Sequence, residues 1–145
     1  MSQAAIKAER RSMTPVESVD RPDAVGILVL ESDPDLQWRL ARMLTVQGHR
    51  VVAAGTADGA RALLAEWGCD LVLVAEHLHG ADGMSVAEDL RRRFPDIPVV
   101  LMTKRTGDSV RAAATRRGIS ATIARPFRWE TFRDVLASLT PAPVR

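Results

Sequence analysis

Five short apolar runs recur along the chain, and each is followed by a stretch whose apolar residues fall at helical spacing. The runs are Val25–Leu30, Arg50–Ala54, Asp70–Ala75, Ile97–Thr103 and Ile119–Ala124. Short runs with little polar alternation fit strands buried on both faces. Between them, Pro34–Gly48 carries Leu36, Leu40, Met43 and Leu44 on one stripe. Asp33 suits its N-cap, Pro34 its first turn and Gly48 its end. Thr56 caps a second helix with Ala60, Leu63, Leu64 and Trp67, stopped by Gly68. Asp82–Phe94 uses Met84, Ala87 and Leu90, and Gly107–Arg117 uses Val110, Ala113 and Ala114. Phe127–Leu139 closes the series with Phe132, Val135, Leu136 and Leu139.

Five strand–helix units predict an α/β domain: a doubly wound, five-stranded parallel sheet of order 2-1-3-4-5, flavodoxin-like. The domain is expected over residues 25–140. Residues 1–24 hold few apolar anchors and are expected to form a disordered tail, with a frayed end at 141–145. Apolar residues make up 46% of the 145 and charged residues 26%, enough for a core without covalent staples. A single cysteine, Cys69, excludes an intramolecular disulfide and a cysteine-based zinc site, and reads as a small packing residue. No apolar run reaches membrane-span length and the first residues hold no signal-like core, so a cytosolic location is expected, with no membrane partner. The net charge is only +2, with cations and acids nearly balanced across the domain, which argues against a nucleic-acid partner.

In this architecture ligands bind beyond the carboxyl ends of the strands. Those ends read ILVLESDPDL at 27–36, CDLVLVAEHLHGADG at 69–83, PVVLMTKR at 98–105 and ARPF at 124–127. Together they resemble the receiver domain of bacterial two-component response regulators, over roughly residues 25–139. The resemblance implies an aspartate acceptor at the end of the third strand and an acidic pair after the first that helps bind Mg²⁺. It also implies a Thr or Ser after the fourth strand, and a Lys followed by Pro after the fifth. Phosphoryl transfer needs a carboxylate nucleophile and a cation that neutralises developing charge.

The chain departs from that pattern. Gly83, eight residues on, places the acceptor position at Ala75. Glu31 and Ser32 stand at the acidic pair, Thr103 keeps its place, Arg125 replaces the Lys, and Pro126 is retained. His79 takes the place of a usual Pro. Asp33 could replace the acid missing at Ser32, but no neighbour replaces the nucleophile. Glu76 would serve only as a displaced acceptor, and a one-residue step along a strand turns a side chain to the opposite face. The resemblance therefore implies a degenerate site, built from Glu31, Ser32, Asp33, Ala75, Thr103, Arg125 and Pro126. A cis bond before Pro126 is implied as well. Arg125 needs an anion: an ion pair with Glu31 is one answer, a bound anionic ligand such as a nucleotide second messenger another.

Other features point to partners. Trp38 lies off the apolar stripe of its helix and is expected to face solvent, as interface anchors do. Trp129, with Arg128 and Arg133 nearby, and Thr122, at a position often aromatic in such domains, mark a second candidate surface. Arg91–Arg93 and Arg116–Arg117 lie near helix C-termini, where cations complement the dipole. His77 and His79 read as solvated loop residues, and His49 as a cap on helix carbonyls. The expected function is a stand-alone pseudo-receiver: a phosphorylation-independent interaction or adaptor module, with no enzymatic activity, cofactor or metal. Its expected partners are a histidine kinase, a phosphotransfer protein or another regulator, with a homodimer a further option.

Overall fold

The structure is a computed structural model and describes residues 24–105 and 107–139. The expected tails lie outside the described residues, apart from Ala24. Strands β1 (Gly26–Leu30), β2 (Arg50–Ala54), β3 (Leu71–Ala75), β6 (Val99–Thr103) and β7 (Ala121–Ala124) form one parallel sheet of order β2-β1-β3-β6-β7. Helices α1 (Pro34–Val46), α2 (Ala57–Trp67), α3 (Gly83–Arg93), α4 (Asp108–Arg116) and α5 (Trp129–Leu139) connect and follow the strands. This is the expected 2-1-3-4-5 arrangement. A small antiparallel hairpin, β4 (His77–Leu78) with β5 (Ala81–Asp82), was not expected from the sequence.

Local chemistry sets the element ends. The Asp33 carboxylate accepts from the N–H groups of Asp35 (2.9 Å) and Leu36 (3.3 Å), which satisfies donors left open at the start of α1. Thr56 and Asp82 do the same for α2 and α3. Gly68 ends α2 in the left-handed region, at φ 67°, where glycine has no Cβ penalty.

All five residues of β1, β3 and β6 are buried. Their alternation still decides which layer each side chain joins. Leu28, Leu30, Val72, Val74 and Leu101 face α2, α3 and α4, through Leu64, Leu90 and Val110. Ile27, Val29, Leu71, Leu73 and Val100 face α1 and α5, through Leu44, Phe132 and Leu136. Cys69 is buried, and desolvation pushes its thiol up to about 11, as an inert packing residue requires. His49 is buried too. Its backbone N–H donates to the Leu44 carbonyl of α1 at 3.2 Å, its Nδ1 accepts from the Val25 N–H at 3.1 Å, and the ring stands 5.4 Å from Trp129.

Candidate functional site

The carboxyl ends of β1, β3, β6 and β7 converge on a cleft of about 240 Å³, lined by Glu31, Ser32, Asp33, Ala75, Glu76 and Arg125 among others. Sheet register produces this convergence. Ala75, the last residue of β3, pairs with Met102 of β6, and Thr103 pairs with Ala124 of β7. The Arg125 N–H then donates to the Thr103 carbonyl (2.7 Å), and the Arg125–Pro126 bond is cis, as the resemblance implied.

Glycine at position 83 brings α3 against the end of β3. Its N–H donates to the Glu76 carbonyl at 2.8 Å. A Cβ there would stand 1.9 Å from the Ala75 carbonyl oxygen. Only glycine permits that approach. The spacing used to align Ala75 thus has a physical cause.

Each buried carboxylate in the cleft is held by an arginine. Arg125 donates to Glu31 Oε1 at 2.5 Å, and the side chains are 15% and 4% exposed. Glu31 Oε2 accepts from the Asp33 N–H at 3.1 Å. A pair this buried gives little net stability, but removing one partner strands a charge at a cost of about 3–5 kcal/mol. Ser32 is equally committed: its hydroxyl donates to the Gly55 carbonyl (3.0 Å) and accepts from the His79 N–H (3.0 Å). Asp33 spends one carboxylate oxygen, Oδ1, on the α1 cap.

Glu76 is the residue that sequence reasoning misplaced. Its side chain is 6% exposed and lies in the cleft, not on the opposite face. Thr103 Oγ1 donates to Glu76 Oε1 at 2.6 Å, and the Arg105 guanidinium donates to Oε2. The Arg105 N–H donates in turn to Thr103 Oγ1 at 2.9 Å. Burial pushes the Glu76 carboxyl up, yet the hydrogen bonds from Arg105 and Thr103 outweigh it and hold the group below its ordinary value. Arg105 was not singled out from the sequence. The usable signal was an acid just past one strand and an arginine just past its neighbour.

The surface residues divide. Trp38 is 64% exposed, with the Arg42 guanidinium carbon 5.7 Å from the ring centroid and exposed Val46 on the same helix. Trp129 is half-buried, 5.4 Å from His49 and 5.7 Å from Phe132, so it is an anchor of the core edge and not an open surface anchor. Arg128 and Arg133 are exposed, and Thr122 is half-buried in β7. The basic cluster on α3 is partly neutralised, since Asp89 pairs with Arg92 (3.3 Å), Arg93 (2.9 Å) and Arg61 (3.3 Å). Among the described residues, no helix is long and apolar enough to cross a membrane.

The family model of the response regulator receiver domain matches residues 27–137. The transcriptional regulatory protein TcrA of Mycobacterium tuberculosis is 35% identical over 133 residues, which cover 90% of this chain and 52% of TcrA. The response regulator protein FleR of Pseudomonas aeruginosa is 31% identical over 114 residues, covering 79% of this chain and 24% of FleR. The chain thus spans between a quarter and half the length of these curated relatives. Among solved structures, the BeF3-activated N-terminal receiver domain of Klebsiella pneumoniae RstA is similar with a TM-score of 0.71 and 28% identity, over 79% of this chain and 97% of that one. The Vibrio cholerae chemotaxis protein CheY4 gives 0.73 at 16% identity, over 80% of this chain and 98% of that one, a likeness of fold alone.

Proposed function

The chain belongs to the response regulator receiver domain family, and from that premise we propose that it is a pseudo-receiver: it takes no phosphoryl group and acts by binding other proteins. One observation carries the reading. Where the family implies an acceptor aspartate, the last residue of β3 is Ala75, buried and packed beneath Gly83. Alanine offers no nucleophile. The surrounding groups do not suit Mg²⁺ either. Glu31 is neutralised by Arg125, the Ser32 hydroxyl is bonded to backbone, and Asp33 spends Oδ1 on the α1 cap, which leaves its Oδ2 as the one carboxylate oxygen here without a hydrogen bond among the described residues. Mg²⁺ requires free oxygen ligands in near-octahedral geometry.

Glu76 is no better placed to be phosphorylated. As a nucleophile it would have to give up the partner of its attacking oxygen, Thr103 at Oε1 or Arg105 at Oε2. The output is then a surface rather than a reaction, and Trp38 with Val46 on α1 is the most exposed large apolar feature among the described residues. Signalling proteins such as a histidine kinase, a phosphotransfer protein or another regulator are the partners the family suggests. No catalytic activity is assigned to the domain. The ligand reading centred on Arg125 is disfavoured at this cleft, because Glu31 already supplies the anion.

Intact-mass spectrometry after incubation with acetyl phosphate and Mg²⁺ tests the proposal. The expected spectrum shows the unmodified mass alone. A stable phosphoryl adduct that disappears in Glu76→Gln overturns it.

A further inference from the structure

A second cavity lies beside the degenerate cleft and shares Leu36, Lys104 and Arg125 with it. This groove holds about 480 Å³ between α1 and the segment that leads from β7 into α5. Its apolar lining comes from Leu36, Leu40 and Met43 on one side and Pro126 and Phe127 on the other. Arg39, Lys104 and Arg125 are its charged lining residues. Arg125 is committed to Glu31, whereas Arg39 and Lys104 have no anionic partner among the described residues. Two cations outside any ion pair therefore border an apolar surface, Lys104 at the rim shared with the acidic cleft.

We propose that this groove binds a small amphiphilic anion, a single carboxylate or comparable head carried on an apolar chain or ring. The volume falls within the range of roughly 300–1,000 Å³ typical of small-molecule sites. Charge complementarity selects the head: arginine and lysine are pure donors, and arginine's planar fork matches a carboxylate. The apolar lining selects the body. A nucleotide would set ring and sugar polar atoms against Leu40, Met43 and Phe127, which offer no hydrogen bonds, and unpaired polar groups are costly to desolvate. An apolar body meets no such penalty. This site is separate from the interaction role proposed above and does not depend on it.

Isothermal titration with decanoate, below its micelle concentration, tests the inference on the full chain. Decanol and decyltrimethylammonium serve as neutral and cationic controls. Saturable binding of decanoate is expected, about tenfold or more tighter than either control, because charge-assisted hydrogen bonds supply the difference. Arg39→Glu with Lys104→Glu, both exposed positions, should reduce the decanoate affinity by at least about tenfold while leaving the circular dichroism spectrum unchanged. NMR shifts on decanoate addition should centre on the methyl groups of Leu36, Leu40 and Met43. Equal affinity for decanoate and decanol overturns the proposal, as does equal binding by the double variant. Absence of saturable decanoate binding overturns it too, and an acidic amphipathic peptide that then fills the groove would reassign it to protein docking.

Discussion

Glu76 follows the last paired residue of β3, and that step decides where its carboxylate goes. Side-chain alternation is a property of extended backbone held in a ladder. β3 ends at Ala75, so the opposite-face argument does not extend to the next residue. The backbone bends there, and the side chain enters the cleft to meet Thr103 and Arg105. The Arg125–Glu31 pair, by contrast, was one of two options legible in the sequence, since a buried guanidinium needs an anion and the resemblance put Glu31 in the same site. Glu76 also has a pH signature. Its folded value is depressed, so its contribution to stability is fully present above the ordinary glutamate value. It is lost as pH falls through that value, about 4.3, towards the lower folded one. Arg105 is more than half exposed, which solvent screening discounts. Glu76→Gln should therefore lower stability by about 1 kcal/mol at neutral pH. Urea midpoints measured from pH 7 to pH 3 should show the gap between wild type and variant closing in acid. A gap constant across that range would refute this account of the Glu76 contacts.

Elements were legible where period and length agreed. Every main-sheet strand and every helix was anticipated, with ends shifted by a residue or two, because apolar periodicity and caps such as Asp33, Thr56 and Gly68 encode them directly. The β4–β5 hairpin was not legible, since two-residue strands carry no period to detect. The packing of Trp129 was not legible for a related reason. A residue at a helix start shows no stripe, and the packing that half-buries it comes from His49, distant in sequence. The contact between α3 and the end of β3 makes a sharper claim about elements. An added methyl at position 83 would collide with backbone carbonyls at Ala75 and Glu76, which cannot rotate away as a side-chain tip could. Gly83→Ala should thus cost about 3 kcal/mol, as overpacking at a rigid contact does. Thermal or urea denaturation measures it directly, and a variant within 0.5 kcal/mol of wild type, roughly the range of neutral surface changes, would mean that α3 slides freely.

At the scale of the molecule, four of five main strands end in side chains that bond across the sheet. Glu31–Arg125 ties the end of β1 to that of β7, and Glu76 ties the end of β3 to Thr103 and Arg105 beyond β6. A ligand shifts a two-state equilibrium only through its difference in affinity for the two states. The similar RstA receiver domain was solved as BeF3-activated. Here the end of β3 presents Ala75, and both neighbouring acids are already paired with arginine. The proposed pseudo-receiver thus offers beryllofluoride no acceptor carboxylate, and no population shift is expected. Amide NMR spectra with and without beryllofluoride and Mg²⁺ should superimpose throughout, including at Thr103, Lys104 and Arg125. Saturable shifts at these residues would show that the domain retains a responsive second state, and would remove the basis for treating its signal as independent of phosphorylation.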